Sequence, residues 1–318
     1  MYDVIALGEV LIDFTPSGVN DQGCLLFARN PGGAPANVLA ANSRLGGKTA
    51  LMGKVGDDLF GRFLAQTLTE AGINTQGLVL DGQVHTTLAF VQLRADGERD
   101  FGFYRDPGAD TCLRPEEVDL SLVEQGDIFH FGSLSLTHEP ARSATRHALG
   151  HARRRGKLIS YDPNYRPPLW PDERTAVAAM AACLPDADLV KVSEEEMTLL
   201  TGETDLARGS LRLAERGPGL VLVSRGEAGS YYRRGADCGA VPPFRVKAVD
   251  TTGAGDAFLG AVHAGLRGKG RADLPHLSVE GLEHLLRFAN AAGALTTTQP
   301  GAIPALPTRT EIEALLHA

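Results

Sequence analysis

Short apolar runs alternate along most of this chain with longer stretches whose apolar residues recur at helical spacing. The runs predict buried strands because they are continuous, four or five residues long and rich in Val, Leu and Ile. They lie at residues 4–7, 50–54, 128–131, 158–161, 189–192 and 220–224. The helical stretches lie at residues 34–45, 59–71, 140–155, 176–184, 194–200 and 206–216. This alternation predicts an α/β fold with a mainly parallel central sheet and helices on both faces.

Two segments follow neither pattern. Residues 10–29 and about 84–106 alternate apolar and polar side chains without a helical period, as half-exposed antiparallel strands do. They predict a small β lid that projects from the main sheet. Since no internal repeat or long linker divides the chain, we expect a single domain over residues 1–318.

Composition narrows the range of functions. The 318 residues carry a formal net charge of −8 and no basic stripe, which argues against nucleic acid as a partner. No stretch approaches the length of a membrane span, and the N-terminus enters a strand without a charged and apolar leader. The four cysteines are scattered and form no C-x-x-C pair, as expected of reduced thiols in the cytoplasm. We therefore expect a cytoplasmic globular protein that has neither nucleic acid nor membrane as a partner.

The sequence Asp-Thr-Thr-Gly-Ala-Gly-Asp at residues 250–256 leads directly into an apolar run that predicts a helix. Small residues at a helix start leave backbone N–H groups open, and together with the helix dipole these groups attract an anion. A carboxylate beside an anion site is electrostatically unfavourable, so Asp256 needs a reason to be there. One reason is a general base that takes a proton from an alcohol attacking a phosphate. The alternative is a structural turn in which glycine relieves strain and Asp256 caps the helix.

A second motif, Asn-Pro-Gly-Gly-Ala-Pro-Ala-Asn, occupies residues 30–37 and also precedes a helix. The adjacent Gly32 and Gly33 let the backbone approach a ligand closely. The Asn37 amide both donates and accepts hydrogen bonds, which suits a hydroxyl-rich ligand. Asp13 follows the first strand, near the edge where open α/β sheets bind ligands. A capping turn and a strand-end aspartate explain either feature alone at least as well.

The two motifs, in this order and with strand and lid patterns between them, resemble those of the ribokinase-like (PfkB) sugar kinases. The resemblance extends from about residue 5 to residue 307, almost the whole chain. It implies a ribokinase-like three-layer sandwich whose β lid closes over the sugar and often serves in dimerisation. It also implies an enzyme that transfers a phosphoryl group from MgATP to a sugar hydroxyl.

Carried over residue by residue, the resemblance implies a role for each motif. Asp256 is the catalytic base, and the backbone N–H groups of Gly253, Ala254 and Gly255 form the anion hole for the γ-phosphoryl group. The implied sugar contacts are Asp13, Gly32, Gly33, Asn37, Phe103, Arg105 and Arg166.

The resemblance also implies sites for the nucleotide and for cations. Lys191 lies on the phosphate side and Glu196 organises Mg²⁺ and its waters, although Ser193 stands where the family usually has Asn. The implied nucleotide residues are Lys191, Glu196, Ser224, Gly226, Gly229 and Asn290. Family members often bind a monovalent cation, commonly K⁺, beside the anion hole, largely through backbone oxygens. The matching positions are Asp250, Thr252, Thr296, Gln299, Gly301 and Ala305.

Two further segments favour fructose as the sugar. Residues 101–110 and 161–170, together with Pro35, resemble bacterial and plant fructokinases, which phosphorylate the 6-hydroxyl of fructose. Kinases of 2-keto-3-deoxygluconate share a Tyr-Arg pair in the lid and an Arg at the place of Arg166, where two cations suit a carboxylate. Aminoimidazole riboside kinases share much of the same pattern. For Arg105, an exposed lid charge is as good an interpretation as a ligand contact.

Functions of other classes remain as alternatives. A non-catalytic sugar-binding regulator is compatible with the fold, but Asp256 and the anion-hole residues are all present. A nucleoside kinase is disfavoured by a polar lid with two arginines. An exposed lid strand is an edge that proteins usually cover, which favours a homodimer.

Overall fold

The computed structural model describes residues 1–93 and 99–317. Within them the strands are β1 (Tyr2–Leu7), β2 (Leu11–Val19), β3 (Leu25–Gly32), β4 (Thr49–Gly56), β5 (Ile73–Asp81), β6 (Leu88–Leu93), β7 (Arg99–Tyr104), β8 (Gly126–Gly132), β9 (Leu158–Asp162), β10 (Leu189–Ser193), β11 (Leu220–Ser224), β12 (Ser230–Arg234) and β13 (Asp237–Val241). The helices are α1 (Ala34–Arg44), α2 (Leu59–Glu70), α3 (Leu120–Glu124), α4 (Ala141–Arg154), α5 (Glu173–Ala181), α6 (Glu194–Thr201), α7 (Leu206–Ala214), α8 (Ala254–Gly265), α9 (Val279–Thr296) and α10 (Arg309–Leu316). None of these helices combines the length and the apolar character that crossing a lipid bilayer requires.

The main sheet has the strand order β13-β12-β11-β10-β9-β8-β1-β4-β5. From β11 to β5 all neighbouring strands are parallel, whereas β12 and β13 add an antiparallel end. The six strands predicted from apolar runs all lie in the parallel part. The carboxyl ends of the parallel strands share one edge of the sheet, which is where such sheets bind ligands.

Helices cover both faces of the main sheet. In β1, Val4 and Ala6 face a core that α1, α2, α8, α9 and α10 complete. Ile5 and Leu7 face the opposite core, which α3 to α7 complete. Burial on both faces explains why the strands are continuous apolar runs. The predicted α/β fold with three layers is confirmed.

The lid is a separate four-stranded sheet in the order β3-β2-β6-β7. The β2–β3 and β6–β7 hairpins are antiparallel, as predicted, but the central β2–β6 pair is parallel, with Ile12 opposite Leu88. Both hairpins start at the base of the lid, so their first strands run in the same direction. The observed lid strands span residues 11–32 and 88–104. Residues 94–98 of the predicted segment lie outside the described residues.

A buried ion pair ties the base of the lid to the main body. Arg105 directly follows β7, and its guanidinium donates to Asp110 Oδ2 from Nε at 2.8 Å and from Nη2 at 2.6 Å. It also donates to Thr137 Oγ1 at 2.9 Å and to the Leu134 carbonyl at 3.0 Å, both after β8. Asp110 Oδ1 accepts a further bond from Thr87 Oγ1, just before β6, at 2.5 Å. The Asp110 carboxylate therefore binds the chain both where it enters the β6–β7 hairpin and where it leaves it.

The hydrophobic pattern did not identify the two ends of the main sheet or the last two helices. Most side chains of β5 are only partly buried, so this edge strand carries no continuous apolar run. At the other end, β13 is largely exposed and contains two small residues. Edge strands bury one face at most, and the signal that reveals central strands is then lost.

A close helix contact generates a prediction. A Cβ atom on Gly260 of α8 would lie 2.5 Å from Ala41 Cβ and 2.6 Å from the Val38 carbonyl oxygen of α1. We expect Gly260→Ala to lower the free energy of unfolding by about 1–3 kcal/mol through overpacking, measured by urea denaturation. In the matched control, Gly150→Ala in α4, the methyl group meets only the Arg154 guanidinium at 3.4 Å. This control should gain about 0.5–1 kcal/mol from helix propensity, and equal effects at both positions would contradict the packing argument.

Candidate active site

A cleft of about 750 Å³ opens between the carboxyl edge of the main sheet and the lid. It brings together most residues that the two motifs single out. The predicted residues that line it are Asp13, Gly33, Asn37, Phe103, Arg166, Lys191, Glu196, Thr252, Gly253, Gly255 and Asp256. Charged and polar groups that motif reasoning did not select also line it, among them Glu9, Asn164 and Glu195.

Asp256 lies in the first turn of α8 and is 7% exposed. Its Oδ2 accepts a hydrogen bond from Asn37 Nδ2 at 2.8 Å, and its Oδ1 accepts one from Asn164 Nδ2 at 3.4 Å. Burial raises the pKa of the Asp256 carboxyl, while the Lys191 charge and the Asn37 bond lower it. Two amides therefore fix the orientation of a carboxylate that burial alone would tend to neutralise.

The start of α8 is shaped to receive an anion. Gly253 stands at the N-cap position with φ of 78°, a left-handed conformation that favours glycine. A Cβ atom on Gly255 would lie 3.0 Å from Lys191 Nζ, so glycine lets the helix start approach the ammonium. Open N–H groups, the helix dipole and this cation all attract negative charge. Ala254 does not line the cleft, and its N–H donates to the Thr251 carbonyl at 3.3 Å.

Lys191, the middle residue of β10, is buried among carboxylates. Its Nζ donates to Asp162 Oδ2 at 2.9 Å, and both side chains are less than a tenth exposed. Burial lowers the pKa of Lys191, but Asp162, Glu196 and Asp256 raise it by more, so the net shift is upward. The ammonium therefore stays charged beneath the start of α8.

Glu196 lies in the first turn of α6 and accepts two backbone hydrogen bonds. Its Oε1 accepts from the Tyr165 N–H at 2.6 Å and its Oε2 from the Ser193 N–H at 2.8 Å. Ser193 caps α6 by accepting from the Glu196 N–H at 3.1 Å. Burial raises the pKa of Glu196, and the neighbouring Asp162 charge adds to the rise.

Asp13 and Gly33, two of the predicted sugar contacts, lie in the wall of the cleft. Gly32 lies behind them, and a Cβ atom there would clash with Asp13 Oδ2, so glycine makes room for the carboxylate. Gly33 has φ of 111°, which again favours glycine. Burial raises the pKa of Asp13 to about 6, and the facing Arg166 charge lowers it. Arg166 is itself exposed and donates to the Tyr165 carbonyl at 3.1 Å.

Arg105 does not reach the cleft, in contrast to its predicted place at the sugar. It is 6% exposed, and its guanidinium is held by Asp110, Thr137 and the Leu134 carbonyl. Nor is it the exposed lid charge of the alternative interpretation. Of the two predicted guanidinium groups, only that of Arg166 lines the cleft.

The predicted nucleotide residues Ser224, Gly226, Gly229 and Asn290 lie outside the wall of this cleft, on the side of β11. Ser224 ends β11 opposite the last residue of β10, and the following turn contains Gly226 and Gly229 at positive φ. Asn290 Nδ2 donates to the Val241 carbonyl at 3.2 Å and to the next carbonyl at 3.0 Å. A Cβ atom on Gly229 would clash with the same Val241 carbonyl, so these residues surround one loop.

The predicted cation positions lie in two loops that Asp250 joins. Its carboxylate accepts from the Thr252 N–H at 2.9 Å, from Thr252 Oγ1 at 2.7 Å and from the Gly301 N–H at 2.9 Å. The other predicted positions, Thr296, Gln299 and Ala305, lie at the end of α9 and in the loop after it. In the described part of the chain, no three His, Cys, Asp or Glu side chains cluster as a metal site.

Four residues of the site were not among the sequence predictions, namely Glu9, Asp162, Asn164 and Glu195, although a signal for two of them exists. Asp162 is the last residue of the buried strand β9 and Asn164 lies two positions after it, and both are in the segment from which only Arg166 was selected. Asn164 adopts φ of 46°, unusual for a residue other than glycine. Glu9 occupies the equivalent place after β1.

Comparison with known proteins identifies the family of this chain. The sequence profile of the family described as "pfkB family carbohydrate kinase" matches residues 1–309. Probable fructokinase-4 of Arabidopsis thaliana is 47% identical over 98% of this chain and 96% of its own length. The fructokinase from Xylella fastidiosa, solved with bound ATP, superposes with a TM-score of 0.92 at 35% identity and covers 100% of this chain and 99% of its own.

A second solved relative carries both a sugar and a nucleotide. It is a double mutant of the fructokinase from Vibrio cholerae O395 in its fructose, ADP and potassium ion bound form. Its TM-score is 0.88 at 35% identity, and the match covers 98% of this chain and 97% of that one. The chain described here therefore belongs to the pfkB family of carbohydrate kinases.

Proposed function

We propose that this protein is an ATP-dependent fructokinase that converts fructose to fructose 6-phosphate. The observation that carries the proposal is the position of Asp256, which lies between the hydroxyl-binding side of the cleft and the anion-binding start of α8. The fructokinases among the relatives support ATP as the phosphoryl donor and fructose as the acceptor.

In the proposed reaction, Asp256 accepts the proton of the 6-hydroxyl while the hydroxyl oxygen attacks the γ-phosphorus of ATP. The bond between the γ-phosphorus and the bridging oxygen breaks, and ADP leaves with that oxygen. Asn37 and Asn164 orient the base through its two oxygens. Phosphoryl transfer needs mainly such positioning and the neutralisation of charge. Closure of the lid excludes water, which would otherwise take the place of the sugar.

The neutralising charge has three sources in this proposal. The N–H groups at Gly253 and Gly255 and the Lys191 ammonium are positive groups at the start of α8. Mg²⁺, when bound with ATP, neutralises the phosphate oxygens. Glu196 and Glu195 line the cleft and fit such an ion, because carboxylates suit Mg²⁺ and its waters.

We also propose a monovalent cation, K⁺, between the two loops that Asp250 joins. The bonds from Asp250 to Thr252 and Gly301 hold these loops side by side, so that their backbone carbonyls can converge. The potassium ion in the Vibrio cholerae fructokinase supports this choice.

The position of Arg105 bears on the choice of sugar. The clamp expected for a sugar acid uses two cations, Arg105 and Arg166, and the Arg105 guanidinium is bound to Asp110 instead. Arg166 remains and suits a hydroxyl of a neutral sugar. This arrangement favours fructose over 2-keto-3-deoxygluconate.

Further parts of the proposal concern the whole protein. We propose one kinase domain over residues 1–318 that forms a homodimer through its lids. Apolar side chains on the lid support this, since Val19, Leu25 and Tyr104 are each more than half exposed. A cytoplasmic location is supported by four free thiols, of which Cys24 and Cys238 are exposed.

A substrate comparison tests the proposed function directly. With MgATP and K⁺ present, we expect fructose to give a higher kcat/KM for ADP release than 2-keto-3-deoxygluconate, aminoimidazole riboside, ribose or adenosine. A preference for the keto-deoxy acid would contradict the argument from Arg105. Sugar binding without turnover of any of these compounds would instead support the non-catalytic alternative.

Replacing the base tests its role. We expect Asp256→Asn to fold normally and to lower kcat about 10²- to 10⁴-fold, with little change in the KM for ATP, because a general base contributes about that much. Since the ionised form is active and burial raises the pKa of Asp256, wild-type kcat should fall as pH drops through a value above 3.8. Wild-type turnover in the Asn variant would remove Asp256 from this role.

The two arginines should respond differently to truncation. Arg105→Ala leaves the buried Asp110 carboxylate without its partner, so we expect the free energy of unfolding to fall by about 3–5 kcal/mol. Arg166→Ala should leave stability nearly unchanged and raise the KM for fructose about 10- to 100-fold, as loss of a charged hydrogen bond does. Urea denaturation and steady-state kinetics measure the two effects. A large rise in KM for Arg105→Ala without loss of stability would contradict the assignment.

A further inference from the structure

Two helices begin at the cleft directly after a glycine, and their N-termini differ. Gly33 precedes α1 and Gly253 precedes α8, and neither residue has a side chain that could cap its helix. At α8 the open N–H groups suit the phosphoryl group. At α1 the first N–H, that of Ala34, is already bound.

The acceptor is Glu9, which lies two residues after the end of β1. Its Oε1 accepts a hydrogen bond from the Ala34 N–H at 3.1 Å across 25 residues of sequence. A Cβ atom on Gly33 would clash with the main-chain oxygen of Glu9, so the backbone of Glu9 also packs against the glycine turn. Glu9 thus contacts the start of α1 twice, through its side chain at Ala34 and through its backbone at Gly33.

The carboxyl of Glu9 is an unusual group to bury. It is 2% exposed, and its Oε2 has no hydrogen-bond partner among the described residues. Burial raises the pKa of Glu9 to about 7, with Asp110 adding to the rise and Arg105 opposing it. A buried acid with an unpaired oxygen lowers the stability of a protein. A role at a functional site is therefore the first explanation to test for the burial of Glu9.

The start of α1 carries the sugar-side residues. Gly33 lines the cleft, and Asn37 donates from the first turn of α1 to Asp256 at 2.8 Å. The Asn37 N–H in turn donates to the Gly33 carbonyl at 3.0 Å. A shift of this turn would move Gly33 in the wall of the cleft, and it would also move the Asn37 amide that orients Asp256.

We propose that Glu9 is a positioning residue that caps α1 from just after β1 and thereby holds Gly33 and Asn37 in place for the sugar. The inference rests on the proposed function, because it assigns the α1 side of the cleft to the sugar. Gly33 has no side chain, which keeps the backbone open to the ligand but leaves the helix without a cap. Glu9 supplies that cap.

Three variants test this inference by separating reach from charge. Glu9→Ala removes the acceptor, Glu9→Asp keeps the charge but is one methylene too short, and Glu9→Gln keeps the reach without the charge. We expect Glu9→Ala and Glu9→Asp to raise the KM for fructose about 3- to 30-fold, the range given by loss of a helix cap. The KM for ATP should stay at the wild-type value, and Glu9→Gln should restore the KM for fructose.

Asp205→Ala is the matched control, because Asp205 caps α7 by accepting from the Arg208 N–H at 2.8 Å, and neither residue lines the cleft. This control should lower stability and leave both KM values unchanged. If Glu9→Ala fails to fold, the comparison of Glu9→Asp with Glu9→Gln still decides between reach and charge.

The outcomes separate this inference from the proposed function. Wild-type enzyme that phosphorylates another sugar but not fructose would overturn the proposed function, and the three variants would then be compared with that sugar. Wild-type KM in Glu9→Ala or Glu9→Asp, or a KM in Glu9→Gln as high as in Glu9→Ala, would overturn the positioning role of Glu9.

Discussion

The bond between Lys191 and Asp162 is the interaction on which the cleft depends. Three buried carboxylates, those of Asp162, Glu196 and Asp256, all act on one buried ammonium. Burial raises the pKa of Glu196 and of Asp256, and the Lys191 charge opposes both rises. The pKa of Asp256, in the first turn of α8, therefore rises less than burial alone would raise it. Truncating one member of such a set leaves an uncompensated charge in the interior.

The fold brings these groups together because parallel strands end at one edge. Asp162 ends β9, Lys191 lies two residues before the end of β10, and Asp256 enters from α8, which packs on the same sheet. Glycine at Gly33 and Gly255 then removes the side chains that would keep backbone and charges apart. The site is therefore built from a rigid sheet edge and from turns in which the backbone itself is the binding surface.

The central part of the fold and the core of the site could be predicted from the sequence. Strands buried on both faces reveal themselves as apolar runs, and glycines next to a helix start, as at Gly33 and Gly253, suggest close approach of a ligand. The edge strand β5 could not be recognised, because partial burial removes its pattern. The position of Arg105 was not predictable either, since it depends on a partner, Asp110, whose burial only the tertiary structure determines. Glu9 gave no signal because it belongs to neither motif and its bond to Ala34 joins residues 25 positions apart in the sequence.

The shared anchor at Asp110 has a consequence for the β6–β7 hairpin. The chain enters this hairpin just after Thr87 and leaves it just before Arg105, and both side chains bind the same buried carboxylate. Displacing either end of the hairpin would leave that buried carboxylate short of a partner, which is unfavourable. The two ends of the hairpin are therefore coupled, because neither can shift at its base without disturbing the group that binds the other.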